Sequence, residues 1–91
     1  MTRKHIVVHG QVQGVGFRYY VQREAERLDL AGWARNCPDG TVEIEAQGDD
    51  AALESFLQAV RKGPAFSRVG EVEVTPVAES AGVVEFRIRY Y

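Results

Sequence analysis

Ile6-Val7-Val8-His9-Gly10-Gln11-Val12-Gln13-Gly14-Val15-Gly16-Phe17-Arg18 runs from a β-branched core through a glycine-spaced loop to the start of an apolar pattern of helical period. The β-branched run predicts a strand over residues 4–10. Beyond the loop, Phe17, Tyr20, Val21, Ala25 and Leu28 recur at intervals of three and four, which predicts a helix through about residue 29. A strand, a glycine turn and a helix start place successive backbone N–H groups where they can face an anion, and the positive helix end adds to the attraction. Arg18 supplies a planar cation able to grip two oxygens at once. The spacing is not a nucleotide fingerprint: it has no Lys-Ser/Thr ending, and Gly-x3-Gly-x-Gly differs from Gly-x-Gly-x-x-Gly. Taken alone, the loop fits a phosphate cradle or a plain tight turn with a solvated arginine.

Working outward, Gly32-Trp33-Ala34-Arg35-Asn36-Cys37-Pro38-Asp39-Gly40-Thr41-Val42 reads as a strand, a Pro-Asp-Gly turn and another strand. Strands are predicted at 31–37 and 41–47. Asp49 or Asp50 can cap a second helix whose buried stripe is Leu53, Phe56, Leu57 and Val60, with Arg61 and Lys62 at its negative end and Gly63-Pro64 as its stop. Two more strands are expected at about 69–76 and 83–90. The order is βαββαβ plus one strand, an α+β fold of ferredoxin-like, split βαβ type. It implies two helices on one face of a mainly antiparallel sheet of four to five strands. Val42, Ile44 and Ala46 alternate with Glu43, Glu45 and Gln47; Val72 and Val74 alternate with glutamates. Val84, Phe86, Ile88 and Tyr90 alternate with Glu85, Arg87 and Arg89. The apolar side is expected to carry both helices, leaving the other charged and open.

The two glycine segments together resemble the acylphosphatase family, small hydrolases that cleave the carboxyl–phosphate bond of acyl phosphates. The first signature, Gly-x-Val-Gln-Gly-Val-x-Phe-Arg, stands complete at 10–18; the second, Gly-Trp-x-x-Asn with a turn and Gly-x-Val, stands at 32–42. Phe86-Arg87-Ile88-Arg89-Tyr90 also resembles the family's carboxyl-terminal ending. The resemblance implies that Arg18 and the backbone N–H groups of Gln13, Gly14, Val15, Gly16 and Phe17 hold the phosphoryl oxygens. It implies that Asn36 orients the attacking water, that no cofactor is needed, and that inorganic phosphate is both product and inhibitor. Gly16 occupies the family's variable loop position. Tyr91 extends the usual ending by one residue, which puts in doubt any contact between a terminal carboxylate and Arg18.

Other chemistries fit the residues less well. A net charge of −2 and an isoelectric point near 5.6 provide no field for a nucleic-acid backbone. The open sheet side offers glutamates where RNA-recognition domains place stacking aromatics. A small-molecule sensing domain on the same fold has no need of an arginine paired with an asparagine in this way. Cys37 sits on a different element from the loop, whereas phosphocysteine enzymes begin their cradle with the nucleophile. His5 and His9, four strand residues apart, lie about 13 Å from each other and share no coordination sphere, so no metal is expected. Trp33, Tyr19 and Tyr20 read as packing residues first and substrate platforms second. Glu24 and Glu26 read as a solvated helix face. With 91 residues, 45% of them hydrophobic, and one cysteine, the chain is expected to form one cytoplasmic domain, 1–91, monomeric, with neither membrane nor nucleic-acid partner.

Overall fold

Thr2–Gln11 form β1, an interior strand of the sheet with Ile6 and Val8 fully buried beneath the helices. The computed structural model of the chain describes residues 1–90. After β1 come α1 (Phe17–Arg27), β2 (Ala31–Asn36), β3 (Val42–Gly48), α2 (Asp50–Lys62), β4 (Arg68–Val77) and β5 (Phe86–Arg89). The five strands lie in the order β4-β1-β3-β2-β5. Three neighbouring pairs are antiparallel, and only β2 and β5 run parallel. This is the ferredoxin-like α+β arrangement expected from the sequence, with a fifth strand added beside β2.

One core joins the layers. Phe17, Val21 and Ala25 of α1 and Leu53, Phe56, Leu57 and Val60 of α2 pack on Ile6, Val8, Ala34, Val42, Ile44 and Ala46. Burying each large side chain contributes roughly 1.5–3 kcal/mol. The two helices are also tied by the Tyr20 hydroxyl, which donates to the Ala59 carbonyl at 2.7 Å. Burial pushes the Tyr20 phenol up, so it stays a donor at any ordinary pH.

Helix α1 stops two residues short of the predicted end. Asp29 takes a left-handed φ of 56°. The Asp29 N–H reaches Glu26 O at 3.2 Å, and the Leu30 N–H reaches Ala25 O at 2.8 Å. That double return is the Schellman closure, normally built on glycine. A left-handed residue with a Cβ costs roughly 1–2 kcal/mol, and Asp29 adds a carboxylate at the negative helix end. Asp29→Gly is therefore expected to stabilise the fold by about 0.5–1 kcal/mol after the glycine entropy term is subtracted. The urea midpoint checks this; a lower midpoint would mean that the aspartate side chain contributes more than glycine relieves.

Gly32 is required by close approach. Its φ is 146°, and a Cβ built there would lie 1.9 Å from the Glu45 carbonyl oxygen across the β2–β3 ladder. No side chain fits at that point, so Trp33 follows a glycine for steric reasons.

The face turned away from the helices is charged, as the alternation implied, and its charges are paired. Arg3 Nε meets Glu45 at 2.7 Å, His5 Nε2 meets Glu43 at 2.6 Å, and Arg35 Nε meets the same Glu43 at 2.5 Å. Burial pushes the Glu43 carboxyl up, but the bonds from His5 and Arg35 together outweigh it and hold it below the usual carboxylate range. The Glu43 bond raises the Arg35 guanidinium in turn. His9 Nε2 bonds Glu73, which raises its imidazole, so the two histidines serve separate carboxylates.

Two expectations for the last strand are corrected. Regular pairing begins at Phe86 rather than 83 and ends at Arg89. Val84 and Tyr90 are largely exposed instead of joining Phe86 in the core. The reason is a contact with a residue 33 positions earlier in the chain. Gln47 is buried on the charged face, where its Oε1 accepts from Arg3 Nη1 at 3.3 Å, and Ser80 completes its bonding: the Ser80 N–H donates to Gln47 Oε1 at 2.7 Å, and the Ser80 carbonyl accepts from Gln47 Nε2 at 3.1 Å. The segment before β5 is drawn across one end of that face, which is therefore not open throughout.

Candidate active site

The loop between β1 and α1 is pinned at both ends by apolar side chains. Val12 and Phe17 are buried to within 2% of complete, while Gly14 and Gly16 between them are exposed. Gly16 caps α1 with φ 74° and ψ 22°, and its carbonyl accepts from the Tyr20 N–H at 3.0 Å. The glycine at this variable position is thus a conformational requirement in this chain; a Cβ would meet open space but would strain the backbone. No acidic residue stands in the first turn of α1. Among the described residues, the backbone N–H groups of Gln13 to Phe17 have no intramolecular acceptor. Those donors and the positive helix end are available to an anion.

Arg18 is the cation of this region. Its Nη1 donates to the Arg89 carbonyl at 3.2 Å, and its guanidinium carbon lies 4.9 Å from the centre of the Tyr90 ring. The carbonyl and the ring face fix the fork from the end of β5. Whether a carboxylate after Tyr91 joins them falls outside the described residues.

Asn36 closes β2, paired with Val42 across the ladder. The turn after it is tightly bonded. Cys37 N–H donates to Thr41 O at 2.9 Å, and Gly40 N–H donates to Cys37 O at 3.1 Å. The Asp39 carboxylate accepts from the Thr41 hydroxyl at 2.7 Å and from the Thr41 N–H at 3.0 Å, which holds it below the usual carboxylate range.

These elements enclose one small cavity of about 140 Å³, lined by Val12, Gly14, Gly16, Phe17, Arg18, Tyr19 and Asn36. Arg18 and Asn36, from a helix and a strand end, both line it. Of the expected loop residues, Gly14, Gly16 and Phe17 line the cavity. Gln13 and Val15 do not: Val15 packs against the core, and the Gln13 side chain turns to the hairpin after Asn36. Cys37 is also absent from the lining; its Sγ lies 3.9 Å from a Glu43 oxygen on the charged face. Of the three aromatic candidates, Tyr20 is a packing residue and Trp33 lies under the Arg89 guanidinium at 4.6 Å. Tyr19 is not packed; it is 62% exposed and belongs to the cavity wall. Among the described residues, no three His, Cys, Asp or Glu side chains gather as a metal set, and no helix is long and apolar enough to cross a membrane.

A wider cleft of about 560 Å³ opens on the charged face beside Trp33, Glu45, Arg87 and Arg89. Its charges are already engaged: Arg3 with Glu45, Arg87 with Glu85, Arg89 with Trp33. The smaller cavity has the free donors.

Sequence reasoning missed the Gln13 side-chain bonds, the Arg89 carbonyl and the Tyr90 ring. The Gln13 and Arg18 partners lie 24, 28 and 71 residues away along the chain, and no local pattern announces them.

Comparison with known proteins agrees with the geometry. The family model described as acylphosphatase matches residues 4–88. Over 90 residues the chain is 50% identical to an acylphosphatase of Bacillus licheniformis, spanning 99% of this chain and 100% of that one. The crystal structure of acylphosphatase from Bacillus subtilis superposes with a TM-score of 0.95 at 49% identity, over 99% of this chain and 100% of that chain. The structure of an acylphosphatase from Coxiella burnetii does so with a TM-score of 0.89 at 35% identity, over 97% and 92%.

Proposed function

Since the chain belongs to the acylphosphatase family and hydrolyses acyl phosphates, we propose that Arg18 and the loop N–H groups of residues 13–17 hold the phosphoryl group while Asn36 aligns the attacking water. The observation that carries this division of labour is the single cavity shared by Arg18, Asn36 and the free end of α1. Phosphoryl transfer through a loose transition state calls for positioning and charge stabilisation more than for proton transfer. The water oxygen bonds to phosphorus, the bond from phosphorus to the acyl oxygen breaks, the electron pair leaves with the carboxylate, and the water's protons stay with the inorganic phosphate formed. An asparagine is no base near neutral pH, but its carbonyl oxygen can accept a hydrogen bond from the water and aim the lone pair. The leaving carboxylate is a stable anion and needs no proton.

The cavity wall supports that reading: among the described residues it contains no carboxylate, imidazole, thiol or lysine. Its volume of about 140 Å³ is well below the roughly 300–1,000 Å³ of sites that enclose a whole small ligand. It suits the phosphoryl group, with the acyl part outside beside Tyr19. Inorganic phosphate, the product, occupies the same cradle and inhibits. We read the whole chain, 1–91, as one domain acting as a cytoplasmic monomer; a lone cysteine calls for no oxidising compartment.

With no carboxylic acid, imidazolium, thiol or ammonium among the described residues of the cavity wall to protonate a departing oxygen, rate falls steeply as the leaving group becomes more basic. Benzoyl and acetyl phosphate are expected to turn over rapidly, nitrophenyl phosphate slowly, and a sugar phosphate not at all. Chelators are expected to leave the rate unchanged, and the pH profile to lack the bell of an acid–base pair near neutrality. The test is kcat/KM for benzoyl phosphate against a sugar phosphate under identical conditions. Comparable values would mean that a general acid operates and would overturn this mechanism.

A further inference from the structure

We infer that the Gln13 side chain is a positioning residue: it sets the cradle loop at its working separation from Asn36. This rests on the division of labour proposed above. Gln13 Nε2 donates to the Cys37 carbonyl at 2.7 Å and to the Thr41 carbonyl at 2.9 Å. Both N–H bonds of the amide are thereby used on the two carbonyls that open and close the turn following Asn36. Each of those carbonyls already accepts one backbone bond, from Gly40 and from Cys37 respectively, so Gln13 fills the second lone pair of each. Asp39 completes the arrangement by accepting from Thr41. The turn is rigid without Gln13, and Gln13 fastens the loop to it.

Nothing else polar does so among the described residues. Among the described residues the backbone N–H groups of Gln13 to Phe17 have no intramolecular acceptor, and between the end of β1 and the first turn of α1 the loop is otherwise seated by the burial of Val12 and Phe17 and the packing of Val15. Apolar contact fixes depth in the core but tolerates sliding, whereas a two-pronged amide with partners at fixed directions does not. Glutamate would present oxygens to two carbonyl oxygens, and asparagine is one methylene too short for the same span. Misplacing a reacting group by about 1 Å can cost on the order of a hundredfold in rate. The bridge therefore acts on the step that needs Asn36 and cradle in register, more than on holding phosphate, for which Arg18 and the α1 terminus remain.

A double-mutant cycle between positions 13 and 36 tests this. Gln13→Met keeps the length and removes the donors; Gln13→Glu keeps the shape and reverses the polarity, and serves as the second probe if the first unfolds. Thermal melts of each variant confirm the folded state in which kinetics are read. In the wild-type background, either substitution is expected to lower kcat for benzoyl phosphate about tenfold or more, with the phosphate inhibition constant changed less than about threefold. In the Asn36→Ala background, the same substitution is expected to cost less than about threefold further, because the group it positions is gone. Equal losses in both backgrounds, or an unchanged kcat in the first, would overturn the positioning role and leave the Arg18–Asn36 reading standing. An Asn36→Ala enzyme of near wild-type rate would overturn that reading and the positioning role with it.

Discussion

Arg18→Ala is expected to lower kcat/KM for benzoyl phosphate by about three or more orders of magnitude, the scale on which a transition-state arginine acts in phosphoryl transfer. Arg18 is the only charged side chain among the described residues lining the cavity, so the equatorial oxygens lose their one cationic partner. Inhibition by inorganic phosphate is expected to weaken in parallel, because ground state and transition state share that contact. Arg18→Lys is expected to recover little: a point charge reproduces neither the two-pronged grip nor the stacking on Tyr90 and the bond to the Arg89 carbonyl. Steady-state kinetics with and without phosphate decide the matter. A variant with near wild-type kcat/KM and unchanged phosphate inhibition would remove Arg18 from the site.

Asn36→Ala is expected to behave differently. The cradle and its charge remain, so phosphate inhibition is expected to persist within a few-fold. The rate is expected to fall by about two or more orders of magnitude, about 3 kcal/mol of transition-state stabilisation. The loss should appear in kcat with little change in KM, the pattern of an interaction made only as the water attacks. Equal weakening of phosphate binding would instead make Asn36 a ligand of the phosphoryl group.

The two residues also differ in how far their place in the site is written in the local sequence. Arg18 and its loop were legible because their signal is local: β-branched residues, glycines at 14 and 16, and Phe17 opening a helical stripe all fall within one short segment. Asn36 was legible only as part of a second signature. Neither spacing nor composition placed it against Arg18; the pairing of β2 with β3 and β5 did. Gln13 shows the limit most clearly. Its backbone belonged to the recognised loop, yet its side chain bridges to the turn after Asn36 and contributes no lining to the cavity. The last strand went the same way: alternation placed Val84 and Tyr90 in the core, but the preceding segment is drawn across the sheet, where Ser80 bonds buried Gln47.

By itself the sequence determined the α+β order of elements, the core face of each long element and the place of the glycine loop ahead of the first helix. Those features rest on periodicity, steric demands of glycine and helix-end chemistry, all of which act within a few residues. Tertiary structure alone decided that Arg18 is clasped by the Arg89 carbonyl and the Tyr90 ring, that Tyr19 stands at the cavity, and that Gln13 ties the loop to the Asn36 turn. These are contacts between segments brought together by strand order. Their energies depend on distances that no local pattern encodes, because hydrogen bonds and cation–ring contacts fall away within an ångström or two of their best geometry.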